Sequence, residues 1–157
     1  MAYHITSPIL DAQPINEVSD DQRHPLGTIV QAFDPDIGAG EFIYLKGVAS
    51  TAAGSVVRYD NTYQTALATM SAPNPYPWAV AMAATGANKY GWYQIAGRAT
   101  AAKAAASIAA SSPVRASGGV LLVAASGGVA ARGAITLSAA ASGTTSVKVM
   151  LNRPHAY

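Results

Sequence analysis

The chain has 157 residues, enough for one hydrophobic core and too few for two comfortable domains. It has no cysteine, which excludes disulfide staples, a thiol nucleophile and a cysteine-held metal. Half of the residues are apolar, many of them alanine, and only 11% are charged against the usual quarter. So sparse a charge suits a chain that hides much of its surface in an assembly, the alternative being a weakly charged, hydroxyl-rich soluble monomer.

Residues 1–26 read as an extended arm. Pro8, Pro14 and Pro25 interrupt any regular element, and Ile5, Ile9, Leu10, Ile15 and Val18 recur at irregular spacing. Isolated aliphatics of this kind suit anchoring in shallow pockets of a partner, where an arm can also add a strand. Residues 27–157 read as one β domain. A first strand is predicted over 27–33, followed by a turn-rich break at 34–40 with Pro35 and two glycines. The next strand, 41–49, sets Phe42 and Tyr44 on one side and Ile43 and Leu45 on the other. TAAG at 51–54 turns the chain into a strand at 55–59, and Asp60-Asn61-Thr62 reverses it into 63–69.

MSAPNPYP at 70–77 excludes a helix and reads as a stiff, polyproline-like crossing. In WAVAMAA at 78–84, Trp78, Val80 and Met82 alternate with alanines, a strand pattern. Residues 85–88 turn the chain into KYGWYQIAGR at 89–98, the stretch that organises the rest. Its period is two, its glycines Gly91 and Gly97 permit a bend or bulge, and Trp92 and Tyr93 point to opposite faces. Both faces therefore need a cover: another sheet, the chain's own arm, or a neighbouring subunit.

TAAKAAASIAAS at 100–111 is open between strand with loop and a short helix. Alanine favours the helix, but Ile108 alone offers it an apolar anchor. ASGGV occurs at 116–120 and again at 125–129, two turns leading into short strands. The last strand, 145–151, places Val147 and Val149 on one face and Lys148 and Met150 on the other, with Pro154 ending it.

Residues 1–60 hold all eight acids and three bases, a balance of minus five; residues 61–157 hold seven bases and no acid. Opposite halves can neutralise each other within one chain or between chains. The basic residues are dispersed, so no phosphate track is evident and direct nucleic-acid binding is not expected.

Chemistry is sparse. No apolar run has transmembrane length, and MAYHITSPILDAQPINEVSDD lacks the basic start and apolar centre of a signal peptide; cytoplasmic residence is the expectation. His4, His24 and His155 lie near the two ends without metal-ligand spacing, and DPDIGAGE at 34–41 lacks the donor series of a calcium loop. A hydrolase would need Asp34, Asp36, Glu41 or Asp60 beside the aromatic rings. Neither GxSxG nor a phosphate-binding loop occurs. The expectation is a non-enzyme with no cofactor. Tyr90, Trp92, Tyr93 and Trp78 could stack sugars or bases, or supply the bulk that an alanine-rich core lacks.

GEFIYLKGVASTAAGSVVRYD at 40–60, GWYQIAGRA at 91–99 and VKVMLNRP at 147–154 resemble the decoration, or cement, proteins of tailed-bacteriophage heads. The resemblance implies an all-β fold, a small antiparallel β-barrel or β-tulip-like domain with an extended N-terminal arm, assembled as a homotrimer. It implies attachment to the major capsid protein on the outside of the virion, after assembly in the host cytoplasm, bridging capsomers without membrane contact. Residues 92–98 would be the central strand and 151–154 its closing edge. Ile5, Ile9, Leu10, Ile15, Val18, Phe42, Tyr44, Trp78, Trp92, Arg98 and Arg153 are the interface candidates. A carbohydrate-binding or host-adhesion module of a phage particle, using exposed aromatics, is the alternative.

Overall fold

A computed structural model describes residues 3–69, 76–123 and 130–156, and shows an all-β domain of antiparallel sheets with no helix among those residues. The strands are β1 (His4–Ile5), β2 (Val18–Ser19), β3 (Ile29–Asp34), β4 (Gly38–Lys46), β5 (Val56–Tyr59) and β6 (Thr65–Leu67). They continue as β7 (Trp78–Ala81), β8 (Tyr90–Ala102), β9 (Val114–Ser117), β10 (Val120–Val123), β11 (Ala131–Thr136) and β12 (Ser146–Ala156). β9 and β10 form a separate hairpin; the others share one sheet.

β8 is the axis of that sheet. β4 runs along one edge from Tyr90 to Gly97. Along the other edge β2 pairs at Tyr90 and Gly91, β7 at Tyr93 and Gln94, and β12 from Ala96 to Ala102. The path β4-β8-β7-β5-β6 ends at β6, and an isolated bridge joins Gln64, just before β6, to Lys46 at the end of β4. There Lys46 N donates to Tyr63 O at 3.1 Å, and Thr65 Oγ1 donates to Lys46 O at 2.9 Å.

Alternation along β4 and β8 divides the core as expected. Ile43, Leu45, Tyr93 and Ile95 turn one way, beside Val57, Ala79 and Ala81. Phe42, Tyr44 and Trp92 turn the other way, against Ile15, Val30 and Ala32. A third cluster, with Trp78, Val80, Val147, Val149 and Leu151, lies under the β9–β10 hairpin. The cover of the Trp92 face is the chain's own N-terminal segment. β1 adds to β3, β2 adds to β8, and Gln13, Ile15, Ser19 and His24 are buried in that layer. Tyr3, Ile5, Ile9, Ile15 and Leu26 of the N-terminal segment therefore pack on one core with Val30, Phe42, Tyr44 and Trp92.

Several details differ from the sequence reading. β4 begins at Gly38, inside the expected break, because Asp34 Oδ1 accepts from Asp36 N and Ile37 N and closes the turn within three residues. β12 runs through Pro154 to Ala156. Its pairing with β8 has already ended at Asn152, so a proline without an N–H interrupts only one ladder. The alanine-rich stretch stays in β8 to Ala102 and then forms a loop fixed by Ile108, which exchanges two main-chain bonds with Ala140 at 2.9 and 2.8 Å. Most of the 70–77 crossing and the second ASGGV copy, at 125–129, lie outside the described residues.

Candidate interaction surfaces

The large aromatics named as interface candidates are committed inside the chain. Phe42, Tyr44, Trp78 and Trp92 are all buried, as is Ile15. Trp92 Nε1 donates to Gln13 O at 2.8 Å, and its ring meets Tyr44 edge-on with 5.0 Å between centroids. These side chains supply the bulk that the alanines cannot, which is why they leave no platform at the surface. Ile5 and Ile9 are half-buried against the same layer, and Val18 is half-buried in β2 opposite Gly91. Of the N-terminal aliphatics, Leu10 stands out in solvent, 94% exposed.

A polar network pins this layer. Gln13 Oε1 accepts from Tyr44 Oη at 2.9 Å and from Ser19 Oγ at 3.0 Å, while Gln13 Nε2 donates to Glu17 O at 2.8 Å. His24 Nε2 accepts from Gln13 N at 3.1 Å, and its ring lies edge-on to Tyr44. His24 is thus a structural histidine. His4 and His155 lie apart from it in β1 and β12, and no group of three or more metal-ligating side chains occurs among the described residues.

The four carboxylates considered for hydrolysis do not converge beside the indoles. Asp34 closes its turn, and with Asp36 lines a cavity of about 310 Å³ shared with Arg98 and Lys148. Asp60 accepts from Thr62 Oγ1, Thr62 N and Gln64 N. The bond from the Thr62 hydroxyl, more than any other influence, holds its carboxyl below the ordinary range. Glu41 pairs with Arg153 at 3.1 Å, and Asp20 with Lys89 at 2.7 Å. Both ion pairs join the acidic first part of the chain to the basic remainder within one molecule.

The outer face of β11 and β12 presents uncovered apolar groups. Alternation sends Val147, Val149 and Leu151 inward and Lys148 and Met150 outward. Met150 stands between Ile135 on β11 and Arg98 on β8. Leu137 N donates to Lys148 O at 2.8 Å, continuing the face beyond the end of β11. Ile135, Leu137 and Met150 are 44%, 39% and 38% exposed, and Arg98 and Lys148 are exposed beside them. The sequence pointed to Arg98 and to the sidedness of Lys148 and Met150. It did not show Ile135 and Leu137, whose face depends on the register with β12.

No helix among the described residues is long and apolar enough to cross a membrane. Compared with protein-family models and with curated proteins, the sequence matches none.

Proposed function

We propose that this chain is a structural decoration protein of a tailed-bacteriophage head, bound to the outside of the shell and bridging neighbouring capsomers as a homotrimer. In this reading the path β4-β8-β7-β5-β6 is a small β-barrel or tulip. The major capsid protein is the partner, and no catalysis or cofactor is involved. The observation that carries it is the Ile135–Leu137–Met150 face with Arg98 and Lys148 at its margin. Contiguous exposed aliphatics at a polar margin mark a protein-binding surface, and Arg98 and Lys148, with Asp34 and Asp36 beside them, supply that margin. Most of the large N-terminal aliphatics pack within their own chain, Leu10 excepted, which favours this sheet face as the contact. Modest contacts repeated over a shell bind strongly through avidity.

The test is co-sedimentation with heads assembled from the major capsid protein encoded in the same genome. The parent chain is expected to sediment with the heads, and a variant carrying Ile135→Glu and Met150→Glu to remain in the supernatant while keeping its thermal midpoint. Failure of the parent to sediment, or equal sedimentation of the variant, overturns the proposal. Sedimentation equilibrium of the isolated protein tests the trimer.

A further inference from the structure

A second surface feature lies apart from the β11–β12 face. A groove of about 410 Å³ crosses β3, β4, β8 and β12. The pairing registers align Gln31, Glu41, Ala96 and Asn152 in one row across the four strands, with Phe33 and Ala39 opposed in the next. The floor is low because it is made of Ala39, Gly40, Ala96 and Gly97. A Cβ at Gly97 would sit 2.5 Å from Ala39 O. Phe33, 47% exposed, lines one side, and Asn152 and Arg153 line the other.

Two β-bulges meet at this groove. One lies between Glu41 and Phe42, where the register of β4 with β8 shifts. In the other, Gly133 of β11 faces the stretch from Asn152 to Pro154, because Arg132 pairs with His155 and Ala134 with Leu151. Consecutive strand residues normally point to opposite faces, yet Asn152 and Arg153 are both exposed and both line the groove. Arg153 takes a left-handed φ of 44° to do so, a conformation rare for a non-glycine residue. Bulges re-aim side chains in this way beside functional sites, and backbone strain is concentrated at such sites.

The side chains so placed define the ligand chemistry. Arg153 Nε and Nη2 donate to Glu41 Oε2 at 3.2 and 3.1 Å, so the pair is neutral together. Both bonds fall on one carboxylate oxygen, leaving acceptor capacity on Glu41 and further N–H groups on Arg153. Gln31 and Asn152 add an amide donor and acceptor on each side. An exposed ring, paired donors and acceptors, and no net charge fit a neutral sugar, whose hydroxyls both donate and accept and whose C–H face rests on an aromatic ring. A phosphate-bearing ligand would instead require a cation without a partner in the groove. We infer that this groove, three strand spacings or about 14 Å across, is a saccharide-binding site for a neutral oligosaccharide of two or more hexose units, independent of the shell-binding reading.

The test is titration of the ¹⁵N-labelled full chain with maltose, cellobiose, lactose and chitobiose, followed by amide chemical shifts. At least one sugar is expected to shift the amides of Gln31, Phe33, Glu41, Gly97 and Arg153 saturably. Phe33→Ala and Asn152→Ala are each expected to weaken that binding about tenfold with the thermal midpoint retained. Asn152→Ala stands alone if the Phe33 variant does not fold. The inference is overturned if no sugar shifts these amides, if the shifts map elsewhere, if the folded variants titrate like the parent, or if adenosine monophosphate occupies the groove and the sugars do not.

Discussion

Trp92 and Gln13 are 79 positions apart, and the indole N–H of one donates to the main-chain carbonyl of the other at 2.8 Å. The bond is buried, so its loss leaves a carbonyl without a donor. Trp92→Phe is expected to cost about 1–3 kcal/mol for that group alone, read as a lower urea midpoint with an unchanged slope. Deleting residues 1–20 goes further, since it uncovers Phe42, Tyr44 and Trp92 together. The truncated chain is expected to lose near-UV ellipticity and bind a hydrophobic dye. A truncated domain that melts like the parent would show that the segment is a dispensable arm.

Gly97 and Gly38 separate two costs at positive φ. Both lie in the left-handed region, at 94° and 105°. A Cβ on Gly38 meets nothing within 4 Å, whereas one on Gly97 meets Ala39 O at 2.5 Å and Gly40 Cα at 3.0 Å. Gly38→Ala is expected to cost about 1 kcal/mol, from backbone strain alone. Gly97→Ala adds a main-chain clash that must push β4 and β8 apart, for a cost on the order of 3 kcal/mol. Paired thermal melts check the order; equal losses would mean that the two strands can move apart freely.

How much of this was legible depends on the range of the signal. The alternation of Phe42 and Tyr44 against Ile43 and Leu45 is local, and the structure sends the two pairs to different core layers. The same alternation showed that both faces of β8 need covering. Periodicity says that a face is buried and not by what, and the covering segment adds strands of only two residues at β1 and β2. Its hold comes from Gln13, Ser19 and His24, polar residues without a pattern. The groove was hidden for a related reason. Phe33 and Asn152 come to line one groove only through three strand registers and a bulge at Gly133, none of which leaves a mark on a single stretch of sequence.

Tyr93 is expected to set an alkaline limit on the fold. Burial pushes its phenol above the ordinary 10.0, and its hydroxyl has no hydrogen-bond partner among the described residues, although Thr85 and Thr65 adjoin it. Burial likewise raises Tyr3 and Tyr59. The native state holds these protons more tightly than the unfolded chain. Below the ordinary value both states are protonated and stability is flat; above it the unfolded chain ionises first and stability falls. Tyr93→Phe is expected to be neutral or slightly stabilising at pH 7, since it removes an unsatisfied buried group, and to move the alkaline unfolding midpoint upward. A variant that unfolds at the same alkaline pH as the parent would place the limit at another tyrosine.

Lys103 explains why the alanine-rich stretch stops being a strand without becoming a helix. It is buried, and its ammonium donates to Ala104 O at 2.9 Å and Ala106 O at 2.7 Å. The carbonyls of the first turn after β8 are thereby held by a side chain instead of by N–H groups four residues on. Ala104 N meanwhile donates across to Leu121 O at 3.0 Å. Lys103→Met keeps the apolar stem and removes the donors, at a cost of about 2 kcal/mol. Hydrogen exchange is expected to quicken at Ala104 and Ile108, whose amides bond to Leu121 and Ala140, and to leave the β4–β8 ladder protected. Far-UV ellipticity is expected to gain no helical signal, because Ile108 remains the one large apolar residue in the run and a lone anchor cannot fix a helix on the core. Unchanged exchange at Ala104 would show that the loop holds its shape without the ammonium.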